Sequence, residues 1–394
     1  MRQDFTRYTS LYKNTLLEDV IPFWEKYSLD HEYGGYFTCL DREGKVFQSD
    51  KFIWLQARQV WTFSMLYNRV EKRQSWLEIA RLGAEFLKKY GRDEDGNWYF
   101  SLLREGKPLV QPYNIFSDCF ACMAFAQYGL ATQEEESLEI AQKTFANILR
   151  RRDNPKGKYS KTYPGTRPLI NVDLYIILAN LMLEVEDLLS PEQIEQTVEE
   201  SMHAVLDVFW NPTKKLMFDN VSPDGSFCDS FEGRQINVGT ALEGMGFLIE
   251  LAQQRGQNDI LEKCVDIALH SLDFGWDQQY GGIFYFLDSE GHPSQFLDWD
   301  QKLWWVHLEA LVTLSRAYLY TQNPTCLEWY QKVHNYTWTH FPDPQYGEWF
   351  GYLNREGEIL LPLKGSKWKG CYHVPRAMIQ CWRIFEGMES QVKF

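Results

Sequence analysis

Tyr280-Gly281-Gly282-Ile283-Phe284-Tyr285-Phe286, followed by the turn Ser289-Glu290-Gly291, is the stretch that decides the fold, because versions of it return along the chain. Tyr33-Gly34-Gly35-Tyr36-Phe37 runs into Asp41-Arg42-Glu43-Gly44, and Gly96-Asn97-Trp98-Tyr99-Phe100 into Arg104-Glu105-Gly106. Leu216-Met217-Phe218 leads to Pro223-Asp224-Gly225, and Tyr346-Gly347-Glu348-Trp349-Phe350 to Arg355-Glu356-Gly357. The turn glycines at 44, 106, 225, 291 and 357 stand 62, 119, 66 and 66 residues apart. The long gap is close to two periods, and a degenerate copy, Lys158-Tyr159 through Tyr163-Pro164-Gly165, fills it. A fixed period of this kind marks a repeat architecture, here of six units. Strand-forming aromatics closed by a Gly-bearing turn read as a hairpin. Regular strand is expected near 35–45, 97–106, 216–226, 282–291 and 348–358, and nowhere else.

Between the hairpins the apolar spacing is helical. Trp54, Arg58, Trp61 and Met65 fall at i, i+4, i+7 and i+11, one face of a helix. Similar runs occur near 8–27, 75–90, 115–131, 136–150, 172–187, 191–209, 237–254, 258–273, 302–321, 325–338 and 373–385. Two helices per unit in six units predict an all-α (α/α)6 barrel, with inner helices around a central pocket and short β-hairpins at its mouth. An open α-solenoid is the other arrangement such a repeat allows. A hairpin at one end of each pair, and the number six, favour closure. No Pro/Ser-rich linker interrupts the pattern, so residues 1–394 are expected to form a single domain.

Composition narrows the partners. Aromatics make up 16% of the chain, with 15 Trp, 22 Tyr and 25 Phe. Flat rings stack on sugars as well as on each other, so part of this supply suits a carbohydrate cleft while most of it packs helices. The net charge of −14 repels phosphate backbones and anionic lipids, so neither nucleic acid nor a membrane surface is expected as a partner. No apolar run is long enough for a membrane span, and the polar start Met1-Arg2-Gln3-Asp4 carries no apolar signal core. Cys119 and Cys122 form a CxxC inside an apolar helical run, without a second pair or a nearby His to complete a metal site. The eight cysteines read as reduced, mostly buried thiols of a cytoplasmic protein. No metal is expected.

Polar residues on inner helices carry the functional signal, because a polar group facing a barrel core is costly unless paired or used. Arg58, between Trp54 and Trp61, could pair with an acid or bind an anionic or enolate oxygen. In Trp299 to Glu309, Lys302, Trp305 and Glu309 share one face at i, i+3 and i+7. His307 points about 200° away from Glu309 at 3.6 residues per turn, so the two cannot both face the pocket. Glu309 is expected inside, with His307 as a packing residue. His373 and Arg376 stand one turn apart, with Pro375 suited to the first turn of a helix. A His beside cations has its charged form disfavoured, which suits a neutral general base.

At these residues the chain resembles the N-acylglucosamine 2-epimerase (renin-binding protein) family, above all its cyanobacterial members. The matching stretches are Gly35 to Asp41, Asp50 to Gln56, Arg58 to Trp61, Gln111 to Cys119, Asn154 to Tyr159, Trp299 to Glu309, Tyr346 to Asn354 and Lys367 to Ala377. They span nearly the whole chain. The resemblance implies an (α/α)6 barrel, commonly a homodimer, that interconverts N-acetylglucosamine and N-acetylmannosamine. Two histidines act there on opposite faces of the opened sugar: one removes the C2 proton and the other returns it. His373 matches one of them, and Arg58, Glu309 and Arg376 match residues that hold the sugar or stabilise the enolate. The resemblance and the helix faces together put Trp54, Trp61, Asn114, Asp118, Asp173, Tyr175, Asn237, Thr240, Lys302 and Trp305 along the substrate. No cofactor is required; ATP acts in the family as an allosteric activator, and Lys156, Gly157 and Lys158 lie in the segment that resembles its loop.

The match departs at one catalytic position. The family motif Asn-Pro-Gly-His reads here Asn237-Val238-Gly239-Thr240. A Thr hydroxyl is not a workable acid or base near neutral pH without an activating partner. Gly246 stands where the family carries Trp, and Asp173 and Tyr175 where cyanobacterial epimerases carry Ala and Pro. The leading expectation is a sugar epimerase or aldose–ketose isomerase. The alternative is a remodelled pocket, formed by Thr240, Gly246 and Asp173, serving a bulkier substrate. A non-catalytic binding protein and a glycoside hydrolase using Glu309 with Asp173 come last.

Overall fold

The computed structural model describes residues 5–159, 161, 163 and 165–392. Helices α1 (Phe5–Asn14) and α2 (Ile21–Tyr27) are joined by a π-helical stretch, Thr15–Val20. Ten further long helices follow: α3 (Ile53–Arg69), α4 (Gln74–Tyr90), α5 (Phe116–Thr132), α6 (Glu135–Arg151), α7 (Asp173–Val185), α8 (Pro191–His203), α10 (Val238–Gln254), α11 (Asn258–Gly275), α12 (Trp304–Thr321) and α13 (Pro324–His340). A single turn, α9 (Phe231–Arg234), precedes α10, and α14 (His373–Val392) ends the chain.

The packing sorts these helices into two rings. α3, α5, α7, α10, α12 and α14 touch in that order, and each carries an outer partner: α4, α6, α8, α11, α13 and, on α14, the N-terminal α1. The last unit returns to α3: ahead of α14, Thr62 Oγ1 donates to Cys371 O (2.7 Å) and Trp61 packs its ring against Tyr372 (5.2 Å), and from α14 Arg383 Nη2 donates to Arg69 O (3.0 Å). The circle is therefore closed, as an (α/α)6 barrel requires. Inner helices are apolar on most sides and outer ones on one face, as their positions demand. Thus α5 is buried from Ser117 to Gly129, whereas α6 buries Ser137, Ile140, Ala141, Thr144, Phe145 and Ile148, one stripe at helical spacing.

Antiparallel strands close the turn at Gly44 (Cys39–Leu40 with Val46–Gln48) and at Gly106 (Ser101–Leu102 with Pro108–Val110), but Leu216–Met217 pairs instead with Trp210–Asn211, and strand is not confined to the expected ranges. The residues just ahead of an inner helix pair antiparallel with the hairpin of the following unit. Lys51–Phe52 pairs with Ser101–Leu102, Ile170–Asn171 with Asn220–Val221, Gln235–Asn237 with Phe286–Asp288, and Lys302–Leu303 with Tyr352–Leu353. Each edge is two or three residues long and its partner lies about fifty residues away, so local periodicity cannot reveal it. In the degenerate copy at 158–165, residues 160, 162 and 164 lie outside the described residues, Gly157–Tyr159 is a 3₁₀ turn, and no strand forms among the rest. The turn glycines are there for their conformation: Gly44, Gly106, Gly291 and Gly357 have φ of 87°, 97°, 76° and 90°, where a side chain would be strained.

A charged latch fastens these turns together three times. Asp30, Asp277 and Asp343, each opening an Asp-x-x-Tyr-Gly sequence, have almost wholly buried carboxylates. Each receives a buried lysine: Lys51 (2.8 Å), Lys302 (3.1 Å) and Lys364 (2.9 Å). Each also receives the arginine of an Arg-Glu-Gly turn: Arg104 (2.9 Å), Arg355 (3.0 Å) and Arg42 (2.7 Å). The tyrosine of the same sequence lies against that guanidinium, Tyr33 at 5.0 Å, Tyr280 at 5.5 Å and Tyr346 at 5.1 Å. Arg42 comes from the first unit and Asp343 from the last, so that copy bridges the seam of the ring.

Burial alone would raise these carboxyls, but the hydrogen bonds and charges of their cations outweigh it. Asp30 and Asp277 are held at about 2, and Asp343 lies well below the usual carboxylate range. Groups whose pKa is depressed on folding stabilise fully above their unfolded value, about 4, and lose that contribution as pH falls through the folded one. The fold should therefore weaken between about pH 4 and 2. Asp343→Asn should cost about 3–5 kcal/mol, because Lys364 is left buried without its counter-charge, and the acid transition should shift with it. Denaturant melts of both proteins from neutral pH to pH 3 check this; equal midpoints would show that the latch carries no stability.

Candidate active site

The N-terminal halves of the inner helices surround a cavity of about 250 Å³. Trp54 and Arg58 come from α3, Phe116 and Phe120 from α5, Asp173, Ile176 and Ile177 from α7, Thr240, Glu243 and Phe247 from α10, and Trp305 from α12. Asn114, Asn237, Phe100 and Trp368 complete the lining from the connecting segments. The positive ends of the helix dipoles thus converge on one space, which favours negative charge developing there.

Arg58, Glu243 and Glu309 are each the sixth residue of their helix, on α3, α10 and α12, and so lie at one depth. His373 and Asp173 are the first residues of α14 and α7. His373 Nδ1 stands 2.8 Å from Glu309 Oε1, and Arg376 Nη1 reaches both Glu309 oxygens at 2.6 and 2.5 Å. Burial would raise the Glu309 carboxyl, but Arg376 and His373 pull it well below its ordinary range. An ionised Glu309 makes Nδ1 the protonated nitrogen of His373 and leaves Nε2 with its lone pair. Burial lowers the imidazole to about 4, only partly opposed by Glu309, so it is neutral near pH 7. Arg58 lies within a cage of rings, its guanidinium carbon 4.5 Å from Trp54, 4.0 Å from Phe120 and 4.5 Å from Tyr372. Arg58 Nε, Trp54 Nε1 and Tyr372 Oη are buried without hydrogen-bond partners among the described residues. Unsatisfied donors on Trp54 and Arg58, which both line the cavity, are the expected state of a site awaiting a polar ligand.

The facing wall is acidic. Asn237 caps α10 by accepting the Thr240 N–H (3.2 Å), which fixes the start of that helix. Behind it Asp219 accepts the Asn237 N–H at 3.0 and 3.1 Å; burial, then the charge of Asp173, pushes its carboxyl up to about 8. Burial also raises Asp173, to about 6. Glu243, which the sequence reading passed over, is raised by burial and by the charge of Glu309. Its signal was available: Thr240, Glu243 and Phe247 stand at i, i+3 and i+7, one face of α10. An oxygen of Glu243, an oxygen of Glu309 and a ring nitrogen of His373 lie within 4.8 Å of one another, a spacing that could hold a metal ion. The Arg376 guanidinium already occupies the Glu309 carboxylate.

Several expected contacts lie elsewhere. Lys302 is buried against Asp277 in the latch, because its side chain leaves the chain before α12 begins. Asp118 is sealed under Arg151 (3.0 Å). Trp61 donates to Glu184 (3.0 Å), at the C-terminal end of α7, away from the cavity. Tyr175 packs on Phe209 (5.9 Å). His307 is a satisfied packing residue: Nδ1 bonds Leu303 O (2.7 Å), Nε2 accepts the Ile283 N–H (2.9 Å), and burial lowers it to about 3. Lys156, Gly157 and Lys158 form an exposed turn.

Gly246 does not open the pocket. A Cβ built there would stand 2.4 Å from Thr313 Oγ1, and Arg316 Nη1 binds its carbonyl at 2.7 Å. The residue seats α10 on α12, and its neighbour Phe247 is the one that lines the cavity. Even Gly246→Ala should therefore cost about 1–3 kcal/mol through overpacking, and Gly246→Trp more. Thermal midpoints of the two variants test this; a Gly246→Trp protein as stable as the parent would mean that the position faces open space.

The sequence pattern of the N-acylglucosamine 2-epimerase (GlcNAc 2-epimerase) family matches residues 35–377. The chain is 36% identical to the N-acylglucosamine 2-epimerase of Mus musculus over 392 residues, covering 96% of this chain and 92% of that one. It is 34% identical to the Homo sapiens enzyme of the same name over 397 residues, covering 95% and 90%. Among solved structures, cellobiose 2-epimerase from Bacillus thermoamylovorans superposes with a TM-score of 0.82 at 19% identity, over 96% of this chain and 99% of that one, a likeness of fold. Among the described residues no helix is long and apolar enough to cross a membrane. With its closed ring of helix pairs, its buried Glu309–His373–Arg376 cluster and this extent of identity, the chain belongs to the N-acylglucosamine 2-epimerase family.

Proposed function

We propose that this protein epimerises a hexose derivative at C2, with an N-acylhexosamine as substrate and His373 as the base. The observation that carries the reading is the 2.8 Å bond from His373 Nδ1 to Glu309, which leaves Nε2 unprotonated in a buried, neutral ring. In the open-chain sugar the C2 hydrogen lies beside the C1 aldehyde. His373 Nε2 takes that proton, and the electron pair moves into a C1–C2 double bond with the negative charge on O1. Arg58, with its unpartnered Nε, and the converging helix ends favour that charge. The aromatic lining of Trp54, Phe120 and Trp305 suits stacking on a sugar.

Hydrolysis is disfavoured because both oxygens of Glu309 are committed to Arg376 and His373. A bulkier substrate loses its main support with Gly246 packed against Thr313. In the same reading the exposed Lys156–Lys158 turn is where an ATP activator would bind, and the protein works as a homodimer in the cytoplasm.

Incubation with N-acetylmannosamine in deuterated water, with and without ATP, tests the base. The parent should exchange the C2 hydrogen and form N-acetylglucosamine. His373→Asn should lower both by about 10²–10⁴-fold with little change in thermal midpoint. Exchange should also fall as pH drops through about 4, where His373 takes a proton. A His373→Asn protein that exchanges at the parent rate would remove His373 from the chemistry. Turnover of mannose or cellobiose in preference to N-acetylmannosamine would reassign the substrate.

A further inference from the structure

Inversion at C2 needs a proton delivered to the face opposite the base, and Thr240 has no acidic proton to give at neutral pH. The ring places another acid there. α14 and α7 are three steps apart in either direction around the six inner helices, so they face each other across the pocket. His373 and Asp173 are the first residues of these two helices and stand at the same end of the barrel. Asp173 lines the cavity on the wall it shares with Thr240 and Glu243. Its backbone N–H is taken by Asn171 Oδ1 (2.9 Å), whereas its carboxyl has no ion-pair partner among the described residues. We propose that Asp173 is the second proton-transfer residue of the epimerisation, supplying from α7 the proton that Thr240 cannot supply from α10; this rests on the reading of His373 as the base.

Glu243 is less suited to the opposite face, since one of its oxygens lies within 4.8 Å of a His373 ring nitrogen. A carbon flanked by two reacting groups needs each at about 3–3.5 Å, so groups on opposite faces stand about 6–7 Å apart. The step balances. His373 Nε2 removes the C2 proton and the enolate forms, with its charge on O1. The Asp173 carboxylic acid then gives its proton to C2 from the other side, the C1 carbonyl re-forms, and a carboxylate remains opposite an imidazolium. Exchange with water resets both groups. In the reverse direction the carboxylate is the base and the imidazolium the acid.

The titratable groups facing Asp173 are Asp219 behind it, Glu243 on α10 and Tyr285 from the next hairpin. None is a cation, so the wall retains protons; burial holds Asp173 at about 6. Epimer formation from N-acetylmannosamine should decline as pH rises above about 6, while C2 exchange, which needs only neutral His373, persists.

The test compares the parent, Asp173→Asn, His373→Asn and Asp173→Asn/Thr240→His on N-acetylmannosamine in deuterated water. The readouts are C2 deuteration and N-acetylglucosamine formation, with thermal midpoints for all four. Asp173→Asn should continue to deuterate C2 while epimer formation falls by about 10²–10⁴-fold. The double variant should recover part of it, and His373→Asn should do neither. Epimer formation by Asp173→Asn at the parent rate would overturn the role of Asp173 while leaving His373 in place. Loss of deuteration together with epimer formation in a folded Asp173→Asn protein would also overturn it, since Asp173 would then serve binding. A parent that shows neither signal, or a fully active His373→Asn, would overturn the reading of the base and the present proposal with it.

Discussion

Three buried carboxylates, Asp30, Asp277 and Asp343, hold the mouth of this barrel in register. Each meets a buried lysine and an arginine from a neighbouring turn, so the turns are fastened to one another as well as to their own helices. An unpaired charge at these positions would be costly, which makes the latch all-or-none: the carboxylate is buried because two cations meet it. The short antiparallel edges add backbone bonds across the same joints. Because the inner helices begin immediately beyond those edges, the latch also sets where α3 and α12 start, and hence the depth of Arg58 and Glu309.

That dependence explains what could be read in the sequence. The repeat of aromatic, turn and glycine disclosed the number of units and the helix pairs, since both depend on local spacing. His307 and Glu309 could be assigned to opposite sides of α12 from the helical angle alone. Lys302 could not: its residue type and spacing matched a pocket lysine, and only the position of Asp277, twenty-five residues earlier, shows that its charge is already used. Asp118 misled in the same way, because Arg151 lies on a different helix. Gly246 looked like an excavation from sequence, and helix-to-helix contact shows it as a close approach. Glu243 was legible only as a face-mate of Thr240 on α10, since no motif surrounds it.

The pocket has two chemically different walls. On one side Glu309 is ionised and fully engaged, bonded to both His373 and Arg376. On the other, Asp173 and Asp219 stand without an ion-pair partner among the described residues and burial raises both, and burial also raises Glu243 against the lowering charges of Arg376 and Arg58. Near pH 7 Glu309 is thus ionised while Asp219, held at about 8, keeps its proton, and Asp173, at about 6, lies between them. Such separation of pKa values by environment is how one site supplies a base and an acid at the same pH.

The pairing of α1 with α14 has a consequence for biogenesis. Five of the six helix pairs are made of neighbours in the chain, and each can form as soon as its second helix leaves the ribosome. The sixth joins the first helix to the last. The apolar face of α1, with Phe5 and Tyr12, therefore waits uncovered through synthesis of everything between. Contacts of such sequence separation form slowly, and exposed apolar surface in the interval invites aggregation. The chain should be most vulnerable before α14 docks, when five pairs are assembled and the seam is still open.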